Sequence, residues 1–221
     1  MSFSNVGGHY IMIETYNNAP AVENTLTLRI EQGTTDALEP NDTWQTATPM
    51  AENVGQSFNL PSETDVDWFV FTTTAPNQTV ELAITSPLGS NGYIRMFVYS
   101  GADFIENGDN AAAMGDFYVN ASVTNNRLML RDAGDYYVQV YGWNSGDIFD
   151  NDATITYTLI SPDGNERNNV YTSATELSAG NVAYFTIPAP NDVDYFHIGR
   201  LTAGDVLQTT LGNLSSVSHY K

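Results

Sequence analysis

Hydrophobic and polar residues alternate with a period of two along much of this chain. Leu26, Leu28 and Ile30 alternate with threonine and arginine, and residues 154–159 alternate threonine with Ile, Tyr and Leu. Such alternation is typical of strands with one buried side and one solvent-facing side. Further strands are predicted at 56–60, 67–73, 79–86, 93–99, 117–122, 127–130 and 135–141. The pattern indicates an all-β chain.

Helical structure is predicted at one place only. No segment of ten or more residues shows sustained helical periodicity. A single helical turn is expected after Asn41 and Asp42, whose side chains can cap the backbone N–H groups of residues 43–47, and Pro49 ends it. Because short strands are separated by turns rich in Gly, Asn, Asp and Pro, we expect a jelly-roll-like β-sandwich.

A stretch of thirty-six residues occurs twice without a gap. Residues 36–71 (the first copy) match residues 163–198 (the second copy), with every pair 127 positions apart and eleven of the thirty-six positions identical. A weaker similarity relates residues 8–13 to 134–139 and residues 25–28 to 154–157. Internal repetition indicates a repeated structural unit. The chain is therefore predicted to contain the last strands of one repeat, one complete repeat and the first half of another, at 1–32, 33–162 and 163–221.

Charge and composition narrow the classes of partner. The chain has 26 acidic and seven basic residues, a formal net charge of −19, and no cysteine. Nucleic acids and anionic membranes are disfavoured, because binding to them depends on Lys and Arg. The acidic surplus suits divalent cations. Disulfides and thiolate metal sites are excluded, and no apolar run of about 18 residues is present to cross a membrane.

Several motifs in this order resemble the bacterial pre-peptidase C-terminal domain. They are Glu39-Pro40-Asn41-Asp42 before the helical turn, Ala47 within it, Asp65-Val66-Asp67-Trp68-Phe69 opening a strand, and Gly134-Asp135-Tyr136-Tyr137-Val138 near the end. The family includes modules similar to the collagen-binding domains of clostridial collagenases. The resemblance covers residues 36–160 and, in half, 163–211. It implies a secreted, non-catalytic jelly-roll sandwich that is often attached to a peptidase and sometimes binds calcium or a polymeric substrate.

The acidic residues that recur in both copies are candidate calcium ligands. Calcium takes about six to eight oxygen ligands in irregular geometry, and the family resemblance supports joining the two acidic segments in space. The first copy offers Glu39, Asn41, Asp42, Asp65 and Asp67. The second offers Glu166, Asn168, Asn169, Asp192 and Asp194, where Asn169 replaces Asp42 and predicts a weaker site. In the alternative, Asn41 and Asp42 only cap a helical turn and the aspartates serve a turn.

Catalysis is not predicted. The chain has three histidines, His9, His197 and His219, and none lies in a recognisable nucleophile or metal motif. Acidic pairs can hydrolyse glycosides, but so acidic a chain places carboxylates near one another by abundance alone. Aromatic residues near the end of the complete repeat are candidates for binding a sugar or protein ligand: Tyr137, Tyr141, Trp143 and Phe149. In the alternative, these side chains cover the outer face of the sandwich.

We therefore predict an extracellular or cell-surface, non-catalytic, calcium-supported repeat protein with a structural or adhesive role. Incomplete sandwiches expose strand edges, and residues 1–32 of one chain could add strands to residues 163–221 of a neighbour. Repeated head to tail, this pairing gives a filament or surface array. Neither terminal piece contains the equivalent of about residues 95–126, so the combined sandwich would be smaller.

Two alternatives are equally compatible with the sequence. The chain could be an accessory module of a secreted peptidase that binds collagen or a polysaccharide, or an excerpt of a longer tandem-repeat surface protein. A concentration-dependent polymer favours self-assembly, whereas a monomer that binds an insoluble polymer favours the accessory module.

Overall fold

The computed structural model describes residues 10, 36–62, 64–85, 93–119, 123–143 and 149–212. The strands predicted at 8–13 and 25–28 lie outside the described residues, apart from Tyr10. His9 and His219 also lie outside them. Within the described ranges, the helices are too short to span a membrane.

Residues 36–160 form two facing β-sheets, here called the first sandwich. One sheet has the strand order β1-β3-β8-β5-β6, comprising Thr48–Pro49, Val66–Thr73, Gly134–Gly142, Ile94–Ser100 and Gly115–Val119. The other has the order β2-β9-β4-β7, comprising Gln56–Leu60, Phe149–Ile160, Gln78–Thr85 and Val123–Leu130. The short β1 pairs with β3 in parallel and the other pairs are antiparallel. The prediction of an all-β sandwich is confirmed.

The core lies between the two sheets and is built from the alternating apolar positions. Phe69 and Phe71 of β3 are fully buried, as are Val80, Leu82 and Ile84 of β4. Phe71 stacks on Tyr157 of the opposite sheet with ring centroids 4.6 Å apart. Each fully buried side chain of this size contributes about 1.5–3 kcal/mol relative to an exposed one.

The helical structure differs from the prediction in two respects. A 3-10 turn does follow Asp42, at Trp44–Thr46, but Thr43 caps it, and the Thr43 N–H donates to the Thr46 hydroxyl at 3.3 Å. The expectation that Asn41 and Asp42 form the cap is wrong, because the Asn41 side chain is buried instead. A short helix α1, Gly101–Asn107, connects β5 to β6. Its seven residues are too few to show helical periodicity in the sequence.

Residues 163–212, here called the partial unit, reproduce the local geometry of the first copy. A 3-10 turn occurs at Tyr171–Ser173, and β10 (Thr175–Glu176) pairs in parallel with β11 (Phe196–His197) in the register of β1 with β3. Positive φ angles recur 127 positions apart as well. The φ angle is 60° at Asn53 and 83° at its equivalent Gly180. It is 58° at Asn77 and 100° at its equivalent Gly204.

The partial unit nevertheless exposes residues whose equivalents the first sandwich buries. Leu60, Phe71, Val80 and Ile84 are at most 1 % exposed. Their equivalents Ile187, Ile198, Leu207 and Leu211 are 43, 37, 53 and 52 % exposed. Within the described residues, the segments that contain them have almost no regular secondary structure and join no sheet beyond the pair β10 and β11.

Candidate metal centre and aromatic face

The segment that precedes the first 3-10 turn is fastened to the start of β3. The Asn41 carbonyl accepts a hydrogen bond from the Trp68 N–H at 2.9 Å. The Asp65 N–H donates to the Ser62 carbonyl at 3.2 Å, which forms the turn before β3. These backbone bonds bring the two acidic segments of the first copy side by side.

Asp36 anchors the beginning of this segment. Its two carboxylate oxygens accept hydrogen bonds from the Leu38 N–H at 2.8 Å and from the Asn59 N–H at 2.9 Å. Charge-assisted bonds of this kind are stronger than neutral ones. The predicted ligand sets do not include Asp36. The signal that could have found it is its identity with Asp163 in the second copy.

Three carboxylates of the first copy converge. One ligand oxygen from each of Glu39, Asp42 and Asp65 lies within 4.8 Å of the others. Asn41 and Asp67 are fully buried beside them. Their side-chain polar atoms make no hydrogen bond of good geometry in the described part of the chain, although the Asn41 amide is close enough to Asp67 to lower its pKa. Buried polar groups without partners cost about 1–3 kcal/mol each. Such atoms are available to coordinate a cation.

Burial and mutual repulsion shift the titration of these carboxylates. Burial, followed by the charge of Glu39, raises the pKa of Asp65 to about 7. Burial, followed by the charge of Asp36, raises the pKa of Asp67 to about 8. Burial is also the main cause of the raised pKa of Glu39. The metal-free site thus disfavours its own charged form, and a bound cation would reverse that preference.

The donor set defines the kind of ion that fits. The side-chain donors are carboxylate and amide oxygens, which suit hard cations such as Ca²⁺ rather than the softer metals that select thiolates. A cluster of acidic residues that could hold a metal is therefore present in the first copy. The residues fit Ca²⁺ because the buried atoms without partners include oxygens of Asn41, Asp65 and Asp67.

The second copy repeats the arrangement with one charge fewer. The Asn168 carbonyl accepts a bond from the Tyr195 N–H at 2.9 Å, as Asn41 does from Trp68. The carboxylates of Asp192 and Asp194 have no hydrogen-bond partner in the described part of the chain. Burial, then the charge of Glu166, raises the pKa of Asp192 to about 7, and burial also raises that of Asp194.

The side-chain amide of Asn169 forms hydrogen bonds within this second cluster. Its Nδ2 donates to Glu166 Oε2 at 3.3 Å, and its Oδ1 accepts from the Val193 N–H at 3.2 Å. The amide oxygen that would replace an Asp42 carboxylate oxygen is thus already hydrogen-bonded. Asp163 repeats the role of Asp36, because it accepts bonds from the N–H groups of Asn165 and Thr186.

Tyr137 and Tyr141, two of the candidate ligand-binding aromatics, lie on β8 of the five-stranded sheet and have different surroundings. Tyr137 lies beneath α1, where its ring meets Phe104 edge-on at 5.4 Å. Tyr141 stacks on Phe97 at 6.0 Å. Trp143 is about half exposed, and Phe149 begins β9. The structure therefore separates Tyr137 from Tyr141, and the covering role proposed as an alternative describes Tyr137.

Arg95 organises the exposed aromatic group. Its guanidinium carbon lies 4.5 Å from the centroid of the Trp143 ring and 4.8 Å from that of Tyr118. Asp116 accepts from the Arg95 Nη2 at 2.6 Å. Trp143 and Tyr118 themselves meet edge-on at 6.0 Å. This set, here called the arginine-aromatic patch, lies on β5, β6 and the residue that follows β8.

His197 of β11 is exposed, and its Nδ1 lies 2.7 Å from Glu176 Oε1 on the neighbouring β10. This pair joins the two short strands of the partial unit at the surface. Its position is that of a cross-strand contact, which is one of the ordinary roles of a histidine in a sheet.

Comparison with known proteins finds a likeness to solved structures at low sequence identity. The sequence matches no protein-family model and no curated protein. Among solved structures, the pre-peptidase C-terminal domain of a Bacillus anthracis collagenase matches with 14% identity and a TM-score of 0.37, over 52% of this chain and 94% of that one. The family resemblance seen in the sequence is confirmed to that extent.

Two further solved structures illustrate the range of proteins with a similar fold. The Aeromonas hydrophila PliG, a periplasmic inhibitor of g-type lysozyme, has 16% identity and a TM-score of 0.35 over 52% of this chain and 96% of that one. A carbohydrate-binding module CBM36 in complex with calcium and xylotriose has 12% identity and a TM-score of 0.32, over 50% of this chain and 92% of that one. In each case the likeness concerns the fold of about half of this chain.

Proposed function

We propose that this chain is a non-catalytic structural or adhesive repeat protein of the cell exterior, supported by calcium and assembling head to tail by strand complementation. One observation carries the proposal: the partial unit exposes Ile187, Ile198, Leu207 and Leu211, whose equivalents are buried in the first sandwich. Large exposed apolar surfaces mark sites of association.

Hydrophobic burial favours completion of the partial unit by further strands. Each of these apolar residues gains about 1.5–3 kcal/mol when it becomes fully buried. These segments of the partial unit also offer backbone N–H and C=O groups, which an added strand would pair. A β-sandwich completed in this way repeats a solution that the same sequence motif already adopts in the first sandwich.

Self-association is tested by sedimentation velocity over a hundredfold range of protein concentration. We expect the mean mass to rise with concentration, and we expect Leu207→Asp to abolish the rise. Gln208→Asp is the matched control, because it adds the same charge one residue away, on the opposite face of the strand. A wild-type chain that stays monomeric throughout would refute this function.

Calcium support is the second part of the proposal and rests on the convergence of Glu39, Asp42 and Asp65. Binding to the folded state alone stabilises it by about 2.7 kcal/mol at a free concentration one hundred times Kd. We expect calcium to raise the melting temperature relative to EDTA, and Asp65→Asn to reduce that increment. Glu106→Gln, which removes an exposed carboxylate of α1, should leave it intact. An unchanged melting temperature in calcium would refute the claim.

A second candidate function is favoured by the arginine-aromatic patch. Exposed Trp and Tyr rings on a rigid sheet are suited to stacking against sugar rings or a protein ligand, which would make the chain an accessory module for collagen or a polysaccharide. Pull-down with insoluble collagen and xylan tests it. We expect Trp143→Ala to lose binding. Tyr171→Ala, on the exposed turn of the partial unit, should retain it, and this pair of results would support the function. Failure of the wild-type chain to bind either polymer would exclude these ligands.

A further inference from the structure

The first sandwich contains a cavity of about 170 Å³ between the five-stranded sheet and the segments that cover it, here called the aromatic cavity. Trp68, Tyr99 and Gln139 line it from β3, β5 and β8. They face away from the core, because the residues beside them in each strand belong to the core. Phe104 of α1 and Trp44 of the first 3-10 turn line it from above the sheet. Elements distant in sequence thus bring four aromatic rings to one cavity.

The four rings lie in different planes. Those of Trp68 and Phe104 are inclined by 66°, with centroids 5.8 Å apart. The Trp44 ring is nearly parallel to that of Phe104, at 10°, and the Tyr99 ring is tilted from it by 42°. Rings inclined to one another can contact a compact guest from more than one side, as in the aromatic cages that hold quaternary ammonium groups.

Four of the polar groups that line the aromatic cavity are paired with one another. The Trp44 indole N–H donates to Asp109 Oδ1 at 3.0 Å, and the Tyr99 hydroxyl donates to Gln139 Oε1 at 3.1 Å. A sugar or a peptide needs several free donors and acceptors, because its own polar groups must be satisfied when they leave water. A guest whose buried end forms no hydrogen bonds suits this lining better.

The charge at the aromatic cavity is negative. Asp109 lies in the 3-10 turn Gly108–Asn110 that follows α1, and it is exposed. The described residues that line the cavity include no Lys, Arg or His. The net charge of −19 on the whole chain also attracts cations. Aromatic rings and a carboxylate together favour a cationic guest.

We propose that the aromatic cavity binds a small methylated ammonium ion such as choline. Aromatic faces attract a quaternary ammonium electrostatically, and its methyl groups need no hydrogen bond. Pockets for drug-sized ligands measure about 300–1,000 Å³, so a cavity of about 170 Å³ suits a compact ion. This site is independent of the proposed self-association, because every residue that lines it belongs to the first sandwich.

The arginine-aromatic patch is not a site for such an ion. The Arg95 guanidinium already lies over the rings of Trp143 and Tyr118, and it repels a second cation. Two of the three tryptophans of the chain, Trp44 and Trp68, line the aromatic cavity instead. Tryptophan is the side chain whose ring attracts cations most strongly.

The expected ligand is a free cation rather than the head group of a membrane lipid. In phosphatidylcholine a phosphate lies next to the ammonium group, and the exposed carboxylate of Asp109 would repel it. We therefore expect phosphocholine to bind more weakly than choline, and vesicles of phosphatidylcholine not to sediment with the chain. Tighter binding of phosphocholine, or sedimentation with the vesicles, would contradict this assignment.

Titration of the full chain with choline, followed by proton NMR, tests the site. Saturating calcium keeps the acidic cluster from competing for the added ion, and sodium chloride holds the ionic strength constant. The methyl resonance of choline should move upfield in a saturable manner, because protons above an aromatic ring are shielded. The matched control is the neutral analogue of choline in which carbon replaces nitrogen. We expect the analogue to bind at least about tenfold more weakly, because it lacks the cation–π attraction.

Substitutions locate the bound ion. Asp109→Asn keeps an acceptor for the Trp44 indole and removes the charge, so choline should bind roughly three- to tenfold more weakly. Trp44→Ala should abolish the saturable shift. Glu106→Gln removes an exposed carboxylate of α1 that does not line the aromatic cavity, and it should leave the affinity unchanged.

Three results would overturn the choline site. The first is a choline resonance that does not move in the wild-type titration. The second is equal affinity of the wild-type chain for choline and for its neutral analogue, which would mean that the cavity selects shape alone. The third is unchanged choline affinity in Asp109→Asn and Trp44→Ala, which would place the ion elsewhere. The first two use the unaltered chain and therefore do not depend on the folding of a variant.

Discussion

At the scale of single residues, Asp67 has the least ordinary environment in the first sandwich. It is fully buried, its carboxylate makes no hydrogen bond of good geometry among the described residues, and burial raises its pKa to about 8 although the nearby Asn41 amide opposes the shift. Metal-free protein must therefore either protonate this group or bear a buried charge. A cation removes that conflict, and the substitution Asp67→Asn removes it as well.

This contrast gives the first prediction. In EDTA at about pH 8 we expect Asp67→Asn to melt at the same temperature as the wild type or a few degrees higher, because one buried charge is absent. In calcium we expect the variant to lose most of the stabilisation that the wild type gains, because a ligand charge is absent. Differential scanning calorimetry in both buffers measures the two effects. A variant that keeps the full calcium increment would show that Asp67 is not a ligand.

The second prediction concerns pH. Folding raises the pKa of Asp65 from 3.8 to about 7 and that of Asp67 from 3.8 to about 8. Between these values the metal-free folded state holds more protons than the unfolded state, so its stability falls as the pH rises from about 4 to about 8. Saturating calcium should suppress this fall because it favours the charged carboxylates. A metal-free melting temperature that is constant or increases from about pH 5 to 8 would contradict the prediction.

The residue types of the candidate centre follow from the repeat, since the acidic and amide residues are what the two copies share. The burial and hydrogen-bond partners of these residues do not follow from the repeat. Asp36 is identical in both copies, but its partners are the backbone N–H groups of Leu38 and Asn59, which any residue provides. The side chain of Asn41 is likewise compatible with a helix cap in sequence, and only the fold shows that it is buried. Local pattern identifies candidates, and tertiary burial decides their roles.

At the scale of elements, alternation predicts strands well and short helices poorly. The segment predicted as a strand at 56–60 matches β2, and the strands predicted at 67–73, 79–86, 93–99 and 135–141 differ from the observed strands by one residue at one or both ends. The strands β7 and β9 begin four and five residues before the predicted 127–130 and 154–159. Helix α1 was not predicted, because seven residues complete only about two turns. The contact that holds α1 in place is equally absent from the local pattern, since Phe104 packs on residues from distant parts of the chain.

Phe104 provides the third prediction. Its ring stacks on Trp44 at 4.8 Å and lies 5.3 Å from Tyr99 and 5.8 Å from Trp68. Replacing it with alanine should cost about 3–5 kcal/mol of unfolding free energy, because a buried aromatic ring is lost and its neighbours cannot fill the space. The adjacent Ile105 is 88 % exposed, so Ile105→Ala should change stability by less than about 0.5 kcal/mol. Urea denaturation compares the two, and equal effects would mean that α1 does not pack as described.

At the scale of the whole molecule, one motif occurs in two settings. In the first sandwich the copy is covered by β8 and β9, and its apolar residues are buried. In the partial unit the same local turns and strand register form, yet the apolar residues remain exposed. The motif therefore specifies its own turns and acidic cluster without its neighbours, whereas burial depends on strands that come later in the repeat. Sequence comparison shows the repeat, but only the sheet order shows which strands are needed to complete it.

The last prediction follows from this asymmetry. A chain that lacks residues 1–32 cannot donate strands but retains its acceptor, and a full-length Leu207→Asp chain can donate but should not accept. Neither should polymerise alone. Mixed in equal amounts, they should give a species of two chains and nothing larger, because each contact uses one donor and one acceptor. Analytical ultracentrifugation resolves these masses. Polymers from the truncated chain alone would mean that residues 1–32 are not the donor, and closed dimers of the wild-type chain would contradict an open, head-to-tail assembly.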